Sequence, residues 1–427
     1  MHPLTATDLF AGPGGWDVAA RDLGIDVVGI EYDRAACQTR RAAGLKTIEG
    51  DVTKYGPFHP VVINHSDGLI ASPPCQTFSM AGNGAGRAAL DDVRTGVKEL
   101  AARQQLSVVH DDERTGLVLE PLRWALEAVD SGSPYRWIAM EQVPTVLPVW
   151  EAVDEVLESE GYSVLHGYVH AEQYGVPQTR KRAILIARLD GPVAWPEPTH
   201  SRYHSRDPRR LDAGVLPWVS MAQALGWDRA ANLAVRSNYG SGGDPAARGM
   251  RQIDQPAAAV TSKFDRNKWV LSTGVNQATV GPGALRDELM AAGRWREMHK
   301  PQERPVDCPS PTVDGKAAGA WMMHAPGERA EWLYRNGNQK NAAKRSSATP
   351  APTVHFGGRS NKVEWMPAAT ADDPAASGIR VTVAEASTFQ SFPADYPWQG
   401  GQSKRSEQVG NAVPPMLARA ILSAVTE

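Results

Sequence analysis

The segment 4-LTATDLFAGPGGWDVAARDLG-24 constrains the fold of this chain more than any other part of it. Its start predicts a strand, its clustered glycines predict a tight turn, and the residues after the turn predict a helix. A second short strand is predicted at 27-VVGIE-31, and a third element ends at 50-GDVT-53. This order is the opening of a Rossmann-like α/β domain, in which ligands bind at the carboxyl ends of the strands.

The glycine turn differs from the fingerprint of dinucleotide-binding proteins. In the pattern G-x-G-x-x-G, Gly12 and Gly14 fill the first two positions, but Asp17 stands at the third. An acid near a helix start repels a pyrophosphate, so we expect a cofactor without a diphosphate, and S-adenosylmethionine is the first candidate. Glu31 can accept hydrogen bonds from ribose hydroxyls, and Asp51 from an adenine amino group. A nicotinamide-dependent dehydrogenase is the alternative for this turn.

Cys75 lies in 71-ASPPCQTFSMAG-82, behind two prolines that follow an apolar, strand-like run. Each proline has a fixed φ angle, which restricts the loop and favours holding the thiol in one direction. A thiolate is a strong nucleophile. Cys37 and Cys308 lie far from it in the sequence, and three cysteines fit neither a disulfide framework nor a zinc site. We therefore predict that Cys75 is a nucleophile and that the other two cysteines are small core residues.

Two further segments could complete an active site. Glu141 lies near the end of the apolar strand in 137-WIAMEQVPTVL-147, where a carboxyl group can hydrogen-bond a ring nitrogen. Arg180 and Arg182 alternate at the start of 178-QTRKRAILIA-187, and two arginines on one face suit recognition of an anion or a carbonyl group. Taken alone, the arginines favour a solvated basic edge over catalytic groups.

Taken in order, these segments resemble the DNA (cytosine-5-)-methyltransferase family of bacteria and phages. The resemblance covers about residues 4–190 and 380–425. The matching segments are 8-DLFAGPGG-15, Glu31 with Asp33, 50-GDV-52, 73-PPCQTFS-79, 141-EQVP-144, 178-QTRKR-182, 382-TVAEASTFQSFP-393 and 408-QVGNAVPP-415.

The resemblance implies a Rossmann-like domain that binds S-adenosylmethionine, with an inserted, smaller target-recognition domain rich in strands and loops. It implies that a cytosine is flipped out of double-stranded DNA and that Cys75 attacks carbon 6, so that carbon 5 can accept the methyl group. Glu141 would engage ring nitrogen 3, and Arg182 would contact the base carbonyl with Arg180 supporting it. RNA as the substrate, or a non-catalytic DNA-binding paralogue, are the alternatives.

The resemblance also implies which residues contact the ligands. Phe10 and Val52 would sandwich the adenine, and the C-terminal helix would fold back on the N-terminal sheet. The expected cofactor residues are Phe10, Gly12, Gly15, Glu31, Tyr32, Asp51, Val52, Pro74, Leu117, Asn411 and Val413. The expected DNA contacts in the cysteine loop are Gln76 and Ser79.

This chain departs from the family pattern in two places. Gln142 stands where the family usually has asparagine, and its extra methylene puts the packing of the neighbouring loop in question. The stretch between Cys75 and Leu117 is long, and we expect its segment 80-MAGNGAGRAALDDVRTG-96 to be a mobile loop that closes over the flipped base. A surface insertion without a catalytic role is the alternative.

The region between Arg188 and Thr382 matches none of the shared motifs. Residues 176–365 carry 28 Lys and Arg against 17 Asp and Glu, a net charge of +11, whereas the remainder carries −14. Three weak repeats, each closing on tryptophan, predict hairpin-like units at 254–269, 307–321 and 348–365. We expect their loops to meet DNA through Lys263, Arg266, Lys316 and Arg359, although for any one of these residues taken alone a solvated charge is the favoured interpretation.

These observations predict a catalytic domain at residues 1–190, a target-recognition domain at 191–365, and a C-terminal segment at 366–427 that returns to the catalytic domain. The sequence shows neither a secretory leader nor an apolar run long enough for a membrane helix, so we expect a cytoplasmic protein. We further expect a monomer. We expect no metal ion, because His200 and His204 have a ligand-like spacing but no third ligand is evident.

Overall fold

The computed structural model describes residues 3–64, 67–74, 90–106, 116–204, 206–207, 209–226, 233–236, 250–261, 264, 268–271, 332–336, 343–346, 363–367, 379–380 and 382–427. The chain divides into two compact units. The first comprises residues 1–292 together with 380–427, and the second comprises residues 293–379. The domain boundaries expected from the sequence stay predictions.

A seven-stranded sheet forms the centre of the first unit, with the order β3-β2-β1-β4-β5-β8-β6. The first eight strands along the chain are β1 (Thr5–Leu9), β2 (Asp26–Glu31), β3 (Lys46–Glu49), β4 (Gly68–Ala71), β5 (Trp137–Gln142), β6 (Ser163–His170), β7 (Gln178–Thr179) and β8 (Lys181–Arg188). Strand β8 runs antiparallel to both of its neighbours, while β1 to β5 are parallel. The strand order reverses between β1 and β4, which opens a crevice at their carboxyl ends.

The helices cover both faces of this sheet. They are α1 (Gly15–Asp22), α2 (Arg34–Ala42), α3 (Leu90–Ala101), α4 (Glu120–Asp130), α5 (Leu147–Ser159), α6 (Met221–Leu225), α7 (Val383–Phe389), α8 (Gln402–Asn411) and α9 (Pro415–Thr426). Their starts follow ordinary capping rules. Asp33 caps α2 by accepting from Ala35, and Thr382 and Glu385 form a reciprocal capping box on α7.

Two apolar clusters lie on opposite faces of the sheet. On one face, side chains of α3, α4 and α5, including Val97, Trp124 and Trp150, are fully buried against the strands. On the other face, α1 and α9 pack together, and Leu417 and Ile421 of α9 are buried in the cluster formed with strand residues. The expected return of the C-terminal helix to the N-terminal sheet is therefore confirmed.

The expectation of a loop over residues 80–96 is wrong for its second part. Leu90–Gly96 form the first turns of α3, because Val93 and Val97 face the apolar cluster four residues apart and are fully buried there. The glycine-rich composition of the segment concealed this helical spacing. Residues 80–89 lie outside the described part of the chain.

Short strands follow in the rest of the chain, namely β9 (Leu233–Arg236), β10 (Met250–Gln252), β11 (Ala257–Ala258), β12 (Lys268–Leu271), β13 (Trp332–Asn336), β14 (Ala343–Ser346), β15 (Val363–Pro367) and β16 (Ile379–Arg380). In the first unit, β9 pairs antiparallel with β10 and with β12. In the second unit, β13 pairs antiparallel with β14 and with β15.

The first expected hairpin, at 254–269, is wrong. Its strand β11 pairs in parallel with β7, and its strand β12 pairs with β9, so the two strands do not pair with each other. The reason is that the Gln178 side chain and the Pro177 carbonyl bind the backbone N–H groups of Val260 and Ala257, which fixes β11 beside β7. The second repeat lies outside the described residues, as does most of the third.

Candidate active site

A cavity of about 1500 Å³ lies in the first unit at the carboxyl ends of β1, β2, β4 and β5. Its wall includes all eleven residues expected to contact the cofactor, and it also includes Glu141, Arg180 and Arg182. Seven further predicted site residues lie outside the described residues: Cys75, Gln76, Ser79, Lys263, Arg266, Lys316 and Arg359. Pro73 and Pro74, which lead directly into Cys75, line the cavity.

The glycine turn has an uncommon backbone conformation. Phe10 and Gly12 have positive φ angles of 59° and 52°, the left-handed region that a phenylalanine enters only when its surroundings hold it there. Gly15 has a different reason to be glycine, because a Cβ at this position would lie 2.0 Å from the Val413 carbonyl oxygen. The C-terminal motif therefore packs directly on the start of α1.

Glu31, expected to accept from ribose hydroxyls, also holds the turn together. One of its carboxylate oxygens accepts from the Gly12 N–H at 2.8 Å, and the other from the Asp33 N–H at 2.6 Å. Burial raises the pKa of Glu31, and the two N–H groups oppose that effect. A carboxylate has about four lone-pair sites, so each oxygen keeps capacity for a ligand hydroxyl.

The residues at this end fit an adenosine. Asp51 caps the 3-10 turn Val52–Lys54 by accepting from the Thr53 N–H with one oxygen. Val52 is buried at the wall, whereas Tyr32 is 79% exposed beside it. A Cβ on Gly12 would meet no atom within 4 Å, so the turn faces open space. Acidic acceptors and an open, uncharged backbone suit a cationic sulfonium cofactor.

Asp17 does not act as the sequence suggested. Its side chain is buried, and its two oxygens accept from the Arg40 guanidinium at 2.5 and 2.7 Å. The expectation that Asp17 repels a pyrophosphate is therefore wrong, because a buried cation neutralises the carboxylate. Asp8 lies close by with neither oxygen hydrogen-bonded among the described residues. Burial raises the pKa of Asp8 well above its usual value, and Asp17 adds to that shift.

Glu141 and Arg182 face each other at the opposite end of the cavity. The Arg182 Nε lies 2.7 Å from a Glu141 carboxylate oxygen, and both side chains are mostly buried. Antiparallel pairing of β5 with β8 brings these two strand positions together. A carboxylate beside a guanidinium forms a planar polar surface that can engage a base edge.

The Arg180 side chain forms a different set of contacts from those of Glu141 and Arg182. Its buried guanidinium donates to the carbonyl oxygens of Val260 at 3.0 Å, Gly410 at 3.1 Å and Ala412 at 3.0 Å. It does recognise carbonyl groups, but they belong to the protein backbone. Arg180 thereby joins β8 to the C-terminal motif.

Two buried glutamines that the sequence did not single out form part of the same junction. Gln178 donates to the Phe389 carbonyl oxygen at 2.9 Å and to the Gln390 side-chain oxygen at 2.5 Å, while it accepts from Val260 N–H at 2.8 Å. Gln390 donates in turn to the Val409 carbonyl oxygen. Both residues lie within segments that match the family, and this was the only sign in the sequence that they contribute to the site.

Gln142, the departure from the family pattern, has a defined role in packing. Its amide nitrogen donates to the Pro73 carbonyl oxygen at 2.9 Å, and its amide oxygen accepts from the Val143 N–H. The side chain is almost fully buried. The longer amide therefore holds the backbone that leads into the Cys75 loop.

No group of three or more His, Cys, Asp or Glu side chains among the described residues is arranged to hold a metal ion. His204 instead lies 3.0 Å from an Asp212 carboxylate oxygen. Within the described part of the chain, no helix is long and apolar enough to span a membrane.

Fold and site together define a methyltransferase. The whole-chain fold is similar to that of a methyltransferase from S. pombe, Dnmt2, with a TM-score of 0.50 and 14% identity, covering 99% of this chain and 98% of that one. The family model for C-5 cytosine-specific DNA methylase matches residues 4–95, 125–213 and 295–427. The chain belongs to this family, whose members use S-adenosylmethionine and methylate carbon 5 of cytosine in DNA.

Relatives match over almost the full length of the chain. Type II methyltransferase M1.HphI of Haemophilus parahaemolyticus is 25% identical over 434 residues, which cover 99% of this chain and 86% of that protein. Type II methyltransferase M.AgeI of Thalassovita gelatinovora is 26% identical over 460 residues, covering 99% of both proteins.

Proposed function

We propose that this DNA cytosine-5 methyltransferase acts on a specific sequence of double-stranded DNA, with Cys75 as the nucleophile and with Glu141 and Arg182 holding the base. The ion pair between Glu141 and Arg182 carries the proposal, since it lies on the wall that Pro73 and Pro74 also line. Cys75 follows Pro74 directly in the sequence, and for this reason we assign the nucleophile to it.

The residue chemistry accounts for the reaction. Carbon 5 of cytosine is a weak nucleophile, and addition of the Cys75 thiolate to carbon 6 breaks the 5,6 double bond and makes carbon 5 electron-rich. Glu141 engages ring nitrogen 3 and stabilises the charge that develops there. Arg182 holds the Glu141 carboxyl group in position and reaches the base carbonyl.

S-adenosylmethionine, when bound, supplies the methyl group to carbon 5. Phe10, Val52 and Tyr32 would hold its adenine, and Glu31 and Asp51 its hydroxyl and amino groups. Transfer of the carbon 5 proton to solvent then restores the double bond and expels the Cys75 thiolate, so that the residue leaves the cycle unchanged.

A buried pair such as Glu141 and Arg182 cannot reach a base stacked in a duplex, so the target cytosine must be flipped into the cavity. The net charge of +11 over residues 176–365 suits the DNA backbone. The names of the relatives describe type II methyltransferases, and we extend that role to this chain as the modification partner of a restriction enzyme. We further propose that it acts as a cytoplasmic monomer.

Nucleoside mass spectrometry tests the proposal. Unmethylated DNA incubated with the protein and S-adenosylmethionine should yield 5-methylcytosine, and Cys75→Ala should abolish the product while leaving cofactor binding intact. Sequencing of the modified DNA then gives the target. Product from the Cys75→Ala protein would overturn the assigned nucleophile, and methylation of RNA instead of DNA would overturn the substrate.

A further inference from the structure

Arg40 lies fully buried beneath the glycine turn, and each of its five N–H donors has an acceptor. The two nitrogens at the end of the guanidinium group bind both oxygens of Asp17. The remaining donors reach the carbonyl oxygens of Ala11 at 3.2 Å and Lys46 at 3.1 Å, and the Thr47 hydroxyl at 3.2 Å. One side chain therefore ties the turn to α1 and to β3.

The surrounding sequence makes room for this side chain. Gly29 lies in the middle of β2, where a Cβ would come within 1.9 Å of an Arg40 nitrogen. A glycine inside a strand weakens the strand and marks a close approach by another group. The approaching group here is the Arg40 guanidinium.

The contact to Ala11 is the one that concerns the cofactor. Ala11 lies between Phe10 and Gly12, both of which have positive φ. Its carbonyl oxygen accepts from the Gly14 N–H as well as from Arg40. Left-handed backbone at a phenylalanine persists only where the surroundings over-determine it, and the charged donor to Ala11 supplies such a constraint.

We infer that Arg40 is a positioning residue for the cofactor, because it fixes the turn that carries Phe10, Gly12 and Gly15 against the cofactor cavity. The inference rests on the proposed binding of S-adenosylmethionine at this turn. It assigns to Arg40 a role other than stability, since a buried ion pair can often be replaced by apolar residues without loss of stability.

The test separates folding from cofactor binding. In the double variant Asp17→Leu/Arg40→Met, both members of the buried ion pair are removed together, and the Ala11 carbonyl loses its charged donor. Arg40→Lys is measured in parallel, because it keeps a cation beside Asp17. Its ammonium group cannot reach the Asp17 carboxylate and the backbone carbonyl oxygens of Ala11 and Lys46 at the same time. Glu49→Leu/Arg41→Met, which removes an exposed ion pair between the same helix and strand, is the matched control.

For each variant, the melting temperature, the Kd for S-adenosylmethionine and the KM values for cofactor and DNA are measured. We expect the Kd and KM for S-adenosylmethionine to rise on the order of tenfold in both Arg40 variants, with kcat at saturating cofactor and the KM for DNA unchanged. The control pair should leave all of these values as they are.

A Kd within about twofold of wild type in the two Arg40 variants would overturn the inference. The inference would also be overturned if kcat fell and both KM values rose in step with a fall in melting temperature, because a purely structural role predicts that pattern. The variant Glu31→Ala distinguishes failure of the inference about Arg40 from failure of the proposed cofactor site. If it also leaves the Kd unchanged, the proposed cofactor site itself is wrong.

Discussion

The two ends of the cavity are assembled in different ways. At the cofactor end, the polar contacts from Glu31 to Gly12 and from Arg40 to Ala11 and Asp17 join residues 19 to 29 positions apart. At the catalytic end, the contacts made by Gln178 and Arg180 with the C-terminal motifs join residues 211 to 232 positions apart.

This difference has a physical consequence. One strand–helix–strand–helix–strand unit supplies these contacts of Glu31 and Arg40 at the cofactor end. The C-terminal segment adds further contacts there, since Tyr396 donates to the Pro13 carbonyl oxygen, Lys404 pairs with Asp33, and the Val413 carbonyl group packs on Gly15. The catalytic end requires the C-terminal segment to return across the whole insertion. Changes in the junction around Gln178 should therefore affect catalysis and stability while leaving cofactor affinity nearly unchanged.

The largest expected effect comes from Gln178→Ala. The substitution removes the acceptor of the Val260 N–H, the donor to the Gln390 side-chain oxygen and one donor to the Phe389 carbonyl oxygen, so we expect the free energy of unfolding to fall by about 3 kcal/mol. Denaturant unfolding measures this loss, and calorimetry should show cofactor affinity within about threefold of wild type. Gln38→Ala, at an exposed glutamine, is the control. Cofactor affinity that falls in step with stability would break the comparison.

A smaller effect is expected from Gln142→Ala, which frees the Pro73 carbonyl oxygen. Because misplacement of a nucleophile is costly, we expect kcat to fall about tenfold, with the KM for S-adenosylmethionine unchanged. Gln142→Asn has an amide on a side chain that is one methylene shorter, so its kcat should lie between the values for wild type and Gln142→Ala. Steady-state kinetics decides, and equal kcat values for all three proteins would show that this hydrogen bond does not position the loop.

The smallest effect is expected from Asp8→Asn at the cofactor end. Burial raises the pKa of Asp8 in the folded state above its usual 3.8. At pH values between the usual pKa and the raised one, the folded state holds a proton that the unfolded state lacks. The wild-type protein therefore loses stability as pH rises through that range. Asparagine does not titrate, so the stability of the variant relative to wild type should rise as the pH increases above about 4. Unfolding curves across this range measure it, and a constant difference would contradict the assigned pKa shift.

The sequence predicted the parts of the molecule that depend on short-range patterns. The strand, turn and helix of residues 4–24 and the strand carrying Glu141 follow from apolar spacing and glycine turns. Arg40 could not be recognised in this way, since nothing in the spacing separates it from the exposed Arg41. The glycine inside β2 was the one local sign of a buried side chain nearby.

Other features depend on distant partners. Asp17 was assigned a charge effect on the ligand because its partner on α2 is invisible in a local pattern. Ala257 and Ala258 pair with β7 because Gln178 fixes them there, although the local sequence favours a hairpin. Both errors have the same cause, which is a buried polar contact that only the folded chain creates.

Covalent trapping tests the central claim most directly. Fluorine at carbon 5 cannot leave as a proton does, so a duplex with 5-fluorocytosine at the target should stay bonded to the nucleophile after methyl transfer. We predict an adduct that forms only with S-adenosylmethionine, and peptide mass spectrometry should place it on Cys75. An adduct on another residue, or none on DNA that the protein methylates, would contradict the account.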